Sequence, residues 1–133
     1  AMYNFAQADL FIEQHRYEEA FYLFDSILAE FPAHSLGDEI LLKKAYALQL
    51  KGQWNLAIQN LEKIVKYHAQ DILADDALFQ LGDIYQNHLM DNVKAAEFYR
   101  IILFEHKGSL YTTEARKRFQ ELRQFLPKEE KEI

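Results

Sequence analysis

The chain contains no cysteine, and only two proline and four glycine residues among 133. Without cysteine there is no disulfide, no thiolate nucleophile and no Cys-based zinc site, a condition compatible with a reducing or an oxidising compartment. Scarce Gly and Pro leave too little turn punctuation for an all-β fold. No apolar run approaches the roughly 20 residues needed to span a bilayer, and the N-terminus lacks the basic-then-apolar layout of a signal peptide. Basic charge is short as well. Fifteen Lys and Arg against 21 Asp and Glu give a net charge of −6, which repels a phosphate backbone and argues against nucleic acid as a partner. No nucleophile elbow, phosphate-cradling glycine loop or dinucleotide fingerprint occurs, so neither catalysis nor a cofactor is expected.

What is present is helix-forming and apolar: half the residues are hydrophobic and 14% are aromatic, enough for a continuous core. One helical stripe recurs three times. It reads Tyr17, Ala20, Phe21, Phe24, Ile27, Leu28 and Phe31, then Trp54, Ala57, Ile58, Leu61, Ile64, Val65 and His68, then Ala95, Ala96, Tyr99, Ile102, Leu103 and His106, each at i, i+3, i+4, i+7 spacing. A preceding helix repeats through Ala8 and Phe11, Ala45 and Leu48, Gly82 and Tyr85. The first helices recur every 37 residues, whereas the last step between second helices is 38. That offset places one extra residue in the third internal turn, around Leu89, Met90 and Asp91. Small residues Ala8, Ala45 and Gly82 opposite Ala20, Ala57 and Ala95 let paired helices approach closely. A single hairpin cannot bury its apolar face, so neighbours must stack into a solenoid.

These residues resemble the tetratricopeptide repeat. Leu81, Gly82 and Tyr85 give its L-G-x2-Y verbatim, Ala20, Phe24 and Pro32 give A-x3-F…P, and the second unit is looser, with Leu41, Ala45, Leu48, Ala57 and Leu61. Asn4, Gln7, Lys44, Ala69 and Lys107 depart from the pattern. The resemblance implies an all-α, right-handed α-solenoid of about three hairpins over 1–34, 38–71 and 75–108; the residues after them predict a capping helix over 110–126 and a tail over 127–133 that is too charged and short to pack and so disordered. Helix breaks are expected near 15, 34, 52, 70, 90 and 108. The joints Phe31 to Ser35 and His106 to Tyr111, running into Glu114 and Ala115, look like those of bacterial envelope tetratricopeptide scaffolds such as the TolA-binding type and the outer-membrane assembly lipoprotein. This similarity points toward the bacterial envelope without fixing a compartment.

Tyr3 and Phe5 open the apolar pattern with no capping residue before them, so the chain is expected to continue N-terminally in a longer protein. Ser109 is the expected cap of the last helix, which carries Ala115, Phe119, Leu122, Phe125 and Leu126 on one face and Arg116, Lys117, Arg118 and Arg123 on a basic one. Pro127 should stop it.

Five histidines, His15, His34, His68, His88 and His106, lack the i, i+4 pairing of a helical metal site, and no metal is expected. The carboxylate pairs Glu18 and Glu19, Asp38 and Glu39, and Asp75 and Asp76 fall in predicted first turns, where they complement the helix dipole rather than form an acid–base pair. In the resembled family the inner faces of the first helices line a groove. Here that lining is Phe5, Asp9, Ile12 and Glu13, then Glu39, Leu42, Lys43 and Tyr46, then Asp76, Phe79, Asp83 and Gln86, with Ala6, Gln49, Leu50, Gln80 and Asn87 beside them. The Lys, Asn and Arg clamp that co-chaperone members use to hold a peptide carboxylate is replaced by Phe5, Asp9 and Lys43, with Asp83 further along. The reading is therefore a non-catalytic scaffold that binds a basic, apolar-anchored protein segment in the groove. The alternative is a structural spacer within a longer solenoid. Neither a nucleic acid nor direct membrane insertion is expected, and oligomeric state stays open.

Overall fold

The computed structural model describes residues 2–30, 37–67 and 72–128. Among these are seven α-helices and no strand: α1 Met2–Glu13, α2 Tyr17–Glu30, α3 Gly37–Leu50, α4 Trp54–Tyr67, α5 Ile72–Asn87, α6 Asn92–Glu105 and α7 Thr112–Leu122, followed by a 3-10 turn, Arg123–Phe125. The expected breaks near 15, 52, 90 and 108 fall between helices, and those near 34 and 70 lie outside the described residues. None of the described helices is long and apolar enough to cross a membrane. Two joints and most of the tail lie outside the described residues, and with them Phe31 to Ser35, His34, His68, Ala69 and the expected disorder from residue 129 onward.

The chain divides into two compact units, Ala1–Asn60 and Leu61–Ile133. In the first, α1 packs on α2, and both touch α3. Its core holds Ala8, Ala20, Phe24, Ile27 and Ile40, all at most 1% exposed. In the second, α5 packs on α6 and α6 on α7, around Leu78, Ala95, Tyr99, Ile102, Ala115 and Phe119. Sequence-adjacent helices thus pack in pairs, the pattern of a tetratricopeptide-like helical repeat.

The turns explain why the helices stop where they do. After α1, His15 has φ 61° and its N–H donates to the Ile12 carbonyl, while Arg16 N–H donates to Phe11. After α3, Gly52 has φ 74°, its N–H donates to Gln49, and Gln53 N–H donates to Leu48. These are the paired bonds of a Schellman ending, which needs a left-handed residue. The third turn has four residues, 88–91, instead of three. Its left-handed residue is Met90, φ 55°, and Asp91 N–H reaches back to the Tyr85 carbonyl. The extra residue lies where the 38-residue step placed it. Asp91 then caps α6, its side chain accepting from Lys94 N–H at 3.0 Å.

Three local expectations need correction. α5 starts at Ile72 rather than near 75, because Ala74 already belongs to the buried stripe (0% exposed), and Asp76 therefore lies beyond the first turn. Ser109 does not cap α7. Its hydroxyl accepts from Tyr111 N–H two residues on, and Tyr111 is the N-cap without a side-chain bond. Ser109 shapes the turn before the helix instead. Phe125 is 56% exposed, because the 3-10 turn rotates it outward and buries Leu126 (5%) in its place.

Gly82 sets the closest approach in the second unit. A Cβ there would stand 2.5 Å from Tyr99 Cε1 and 2.8 Å from Cζ. The first unit places Ala8 and Phe24 at the equivalent repeat positions, so a methyl is accommodated beside a ring there, whereas at Gly82 the Tyr99 ring stands too close for one.

Candidate functional site

The predicted groove residues divide between the two units. In the first, Phe5 meets Phe24 edge-on, with centroids 5.9 Å apart, Asp9 Oδ1 holds Lys43 Nζ at 3.0 Å, and Lys43 Nζ lies 6.0 Å from the Phe5 ring centroid. Ile12 is 4% exposed and sits in the core. It lines no open surface, because it belongs to the core cluster with residues of α2 and α3. Glu13 is exposed and Glu39, Leu42 and Lys43 are half-buried. Tyr46 and Leu50, one turn apart on α3, are 53% and 49% exposed.

In the second unit every one of the four predicted residues is engaged by the chain itself. Phe79 stacks on Tyr111 at 4.8 Å between centroids and carries the Arg118 guanidinium 4.7 Å from its own centroid. Arg118 Nη1 donates to Asp83 Oδ1 at 2.7 Å and to the Tyr99 hydroxyl at 3.2 Å, and its Nε donates to Glu114. Tyr99 in turn donates to Gln86 Oε1 at 2.8 Å. Asp76 accepts from Gln80 Nε2 at 2.8 Å. Burial, and then the charge and hydrogen bond of Asp76, push the Tyr111 hydroxyl up. Burial lowers the Arg118 guanidinium, but its bonds to Asp83 and Tyr99 outweigh that and the net shift is upward, so it stays charged. Burial likewise pushes Tyr99 up, against the opposing pull of Arg118.

The two arrangements are one motif at two repeat positions. Phe5 and Asp9 correspond to Phe79 and Asp83, two repeats on, and Lys43 corresponds to Arg118. In each, a cation from another first-type helix pairs with the acid and covers the ring of the helix before it. Arg118 therefore does not belong to an exposed basic face as expected. It is hidden in the sequence because α7 has lost the L-G-x2-Y pattern, but adding two repeat steps to Lys43 finds it. The positions of α7 and its 3-10 turn equivalent to Leu41, Ala45 and Leu48 are Arg116, Gln120 and Arg123, all exposed. That face of the last helix is therefore polar.

Elsewhere, His106 Nδ1 meets Asp75 Oδ1 at 2.6 Å, so the ring engages a carboxylate while the His106 backbone N–H closes α6 on Ile102. Among the described residues no group of three His, Asp or Glu could hold a metal ion.

Residues 39–71 match the tetratricopeptide repeat family. The match covers α3 and α4, the repeat whose motif is least literal but whose apolar spacing is intact. No curated protein matches the chain.

Proposed function

We propose that this chain is a non-catalytic interaction module whose first unit captures a partner segment on the inner face of α1 and α3. Tetratricopeptide repeats generally mediate protein–protein interaction. The observation that carries the site is the half-exposed apolar pair Tyr46 and Leu50 on α3, beside Leu42 and the acidic Glu13 and Glu39. The first 60 residues hold eight acidic and four basic side chains. All four cations are already paired, Arg16 with Glu19, Lys43 with Asp9, Lys44 with Asp25 and Lys51 with Glu18. Acid is in surplus, which favours a segment carrying Lys or Arg between apolar anchors. The anchors supply affinity, and exposed charge pairs worth about 0–1 kcal/mol set orientation. The joint sequences support a bacterial envelope setting.

The test is co-purification from the native host with Tyr46→Glu and with Glu13→Lys, Glu39→Lys. Both should keep the helical circular dichroism of the parent and lose the partner. Retention at parental levels would remove the inner face from consideration. Reversing Asp83 is the wrong test, since it sets a lysine against Arg118. The spacer reading has one observation in its favour: the inner face of α5 is spent on α7.

A further inference from the structure

A second surface on the first unit arranges paired charges around an apolar floor, with the acids outermost. A trench of about 380 Å3 runs between α2, α3 and the start of α4, with Phe21 and Leu48 at its base and Leu56 on its wall. Lys44 Nζ reaches Asp25 Oδ1 at 2.7 Å and Lys51 Nζ reaches Glu18 Oε1 at 2.7 Å. Both ammonium groups also stand near the Phe21 ring, 6.0 and 5.6 Å from its centroid. The lysine side chains lie low, 19% and 24% exposed, whereas Asp25 and Glu18 ride at the rim at 61% and 82%. Tyr22, between them on α2, is 73% exposed, and Leu56 is 46% exposed.

We infer that this trench is a docking site for an amphipathic helix of a partner protein, one that presents a basic, an apolar and a basic residue along one face. Spacing and charge carry the inference. Glu18 and Asp25 are seven residues apart, about 10.5 Å along α2, with Phe21 and Tyr22 at the intervening i+3 and i+4. A partner helix with Lys or Arg at i and i+7 and Leu at i+3 or i+4 repeats that spacing with opposite sign, the arrangement by which helices are read in grooves. The volume suits an apolar side chain rather than a whole element. An anionic segment is disfavoured. Each lysine already holds a carboxylate and an aromatic face, so an incoming anion would have to displace one, whereas a cation adds to a rim carboxylate that has only one oxygen engaged by lysine.

The experiment uses a fluorescently labelled peptide of about 18 residues, long enough to hold a helix, with Arg at i and i+7, Leu at i+3 and i+4, and Ala and Gln elsewhere. Fluorescence anisotropy should show saturable, salt-sensitive binding, and amide shift changes should centre on Phe21, Lys51 and Leu56. Leu56→Asp and the isosteric Glu18→Gln, Asp25→Asn pair should each weaken binding about tenfold. Tyr46→Glu should change it less than about twofold, which separates this site from the inner face of α3. Three results would each overturn the inference: no saturable binding, equal binding of the peptide with Glu in place of Arg, or shift changes centred on Tyr46 and Leu50. The first two leave capture at the inner face untouched, and the third would support it.

Discussion

The two units use one contact in opposite ways. In the first, Lys43 bridges Asp9 and Phe5 while both partners of the ion pair stay 38% exposed, and Tyr46 and Leu50 beside it remain open. In the second, Arg118 bridges Asp83 and Phe79, with Tyr111 stacked over the ring and Tyr99 bonded to the guanidinium. A guanidinium has donors enough to satisfy Asp83, Tyr99 and Glu114 together while its plane lies on an aromatic ring, whereas a lysine ammonium is a compact point charge without that planar fork. α7 thus covers Phe79 and Asp83 in the second unit, whereas Tyr46 and Leu50 stay exposed in the first.

The sharpest way to break the comparison is at the helix crossing. Gly82→Ala gains helix propensity but drives a methyl into the buried Tyr99 ring, and the second unit should lose about 1–3 kcal/mol. Ala8→Gly, at the same repeat position, meets no such conflict and should cost about 0.5–1 kcal/mol. Denaturant melts of the two variants check this, and equal losses would mean the crossings are alike. Next is the cation itself. Arg118→Ala removes three charge-assisted bonds and should cost about 1–2 kcal/mol, given that Asp83 is 34% exposed, whereas Lys43→Ala should cost about 0–1 kcal/mol. Proteolysis within α7 should rise only in the Arg118 variant.

Smaller effects sharpen the turns. Gly52→Ala fills open space but forces a Cβ into a left-handed conformation, costing about 1 kcal/mol. His15→Gly should gain a similar amount, less the 2.7 Å bond between His15 Nδ1 and the Tyr17 hydroxyl. Thermal midpoints should move in opposite directions. The smallest effect is alkaline. Tyr99 and Tyr111 titrate above their ordinary value of 10.0 when folded, so the native state holds protons that the unfolded chain releases. Their contribution is complete below pH 10 and declines as pH rises through the folded values. Ultraviolet titration should show a late-ionising tyrosine class, and Tyr99→Phe should shrink it.

Periodicity makes the helices legible, since each turn within a hairpin is a place where the apolar stripe changes phase, and the offset of one residue locates the insertion beside Met90. Rotation about a single helix is less legible. Spacing assigns Ile12 to the inner face although it lies in the core, because α1 is apolar on several sides and has no strong polar face to orient it. Ser109 has the chemistry of a cap, but whether a hydroxyl meets the second or third N–H depends on the turn, which composition does not reveal. Arg118 reads as basic surface because charge alone does not show that a carboxylate and two rings from other helices converge on it.

The tight seat of Tyr99 against Gly82 also constrains the order in which this chain could change. The middle repeat of the sequence carries Ala45 and Leu61 at the same two positions, each fully buried. Moving from Gly82 and Tyr99 to that combination is passable only if the ring shrinks first: Tyr99→Leu opens the space that a methyl at position 82 would need, whereas the reverse order passes through a clashing intermediate. The two sites are therefore epistatic, with a preferred direction of travel between repeat sequences that look interchangeable on paper.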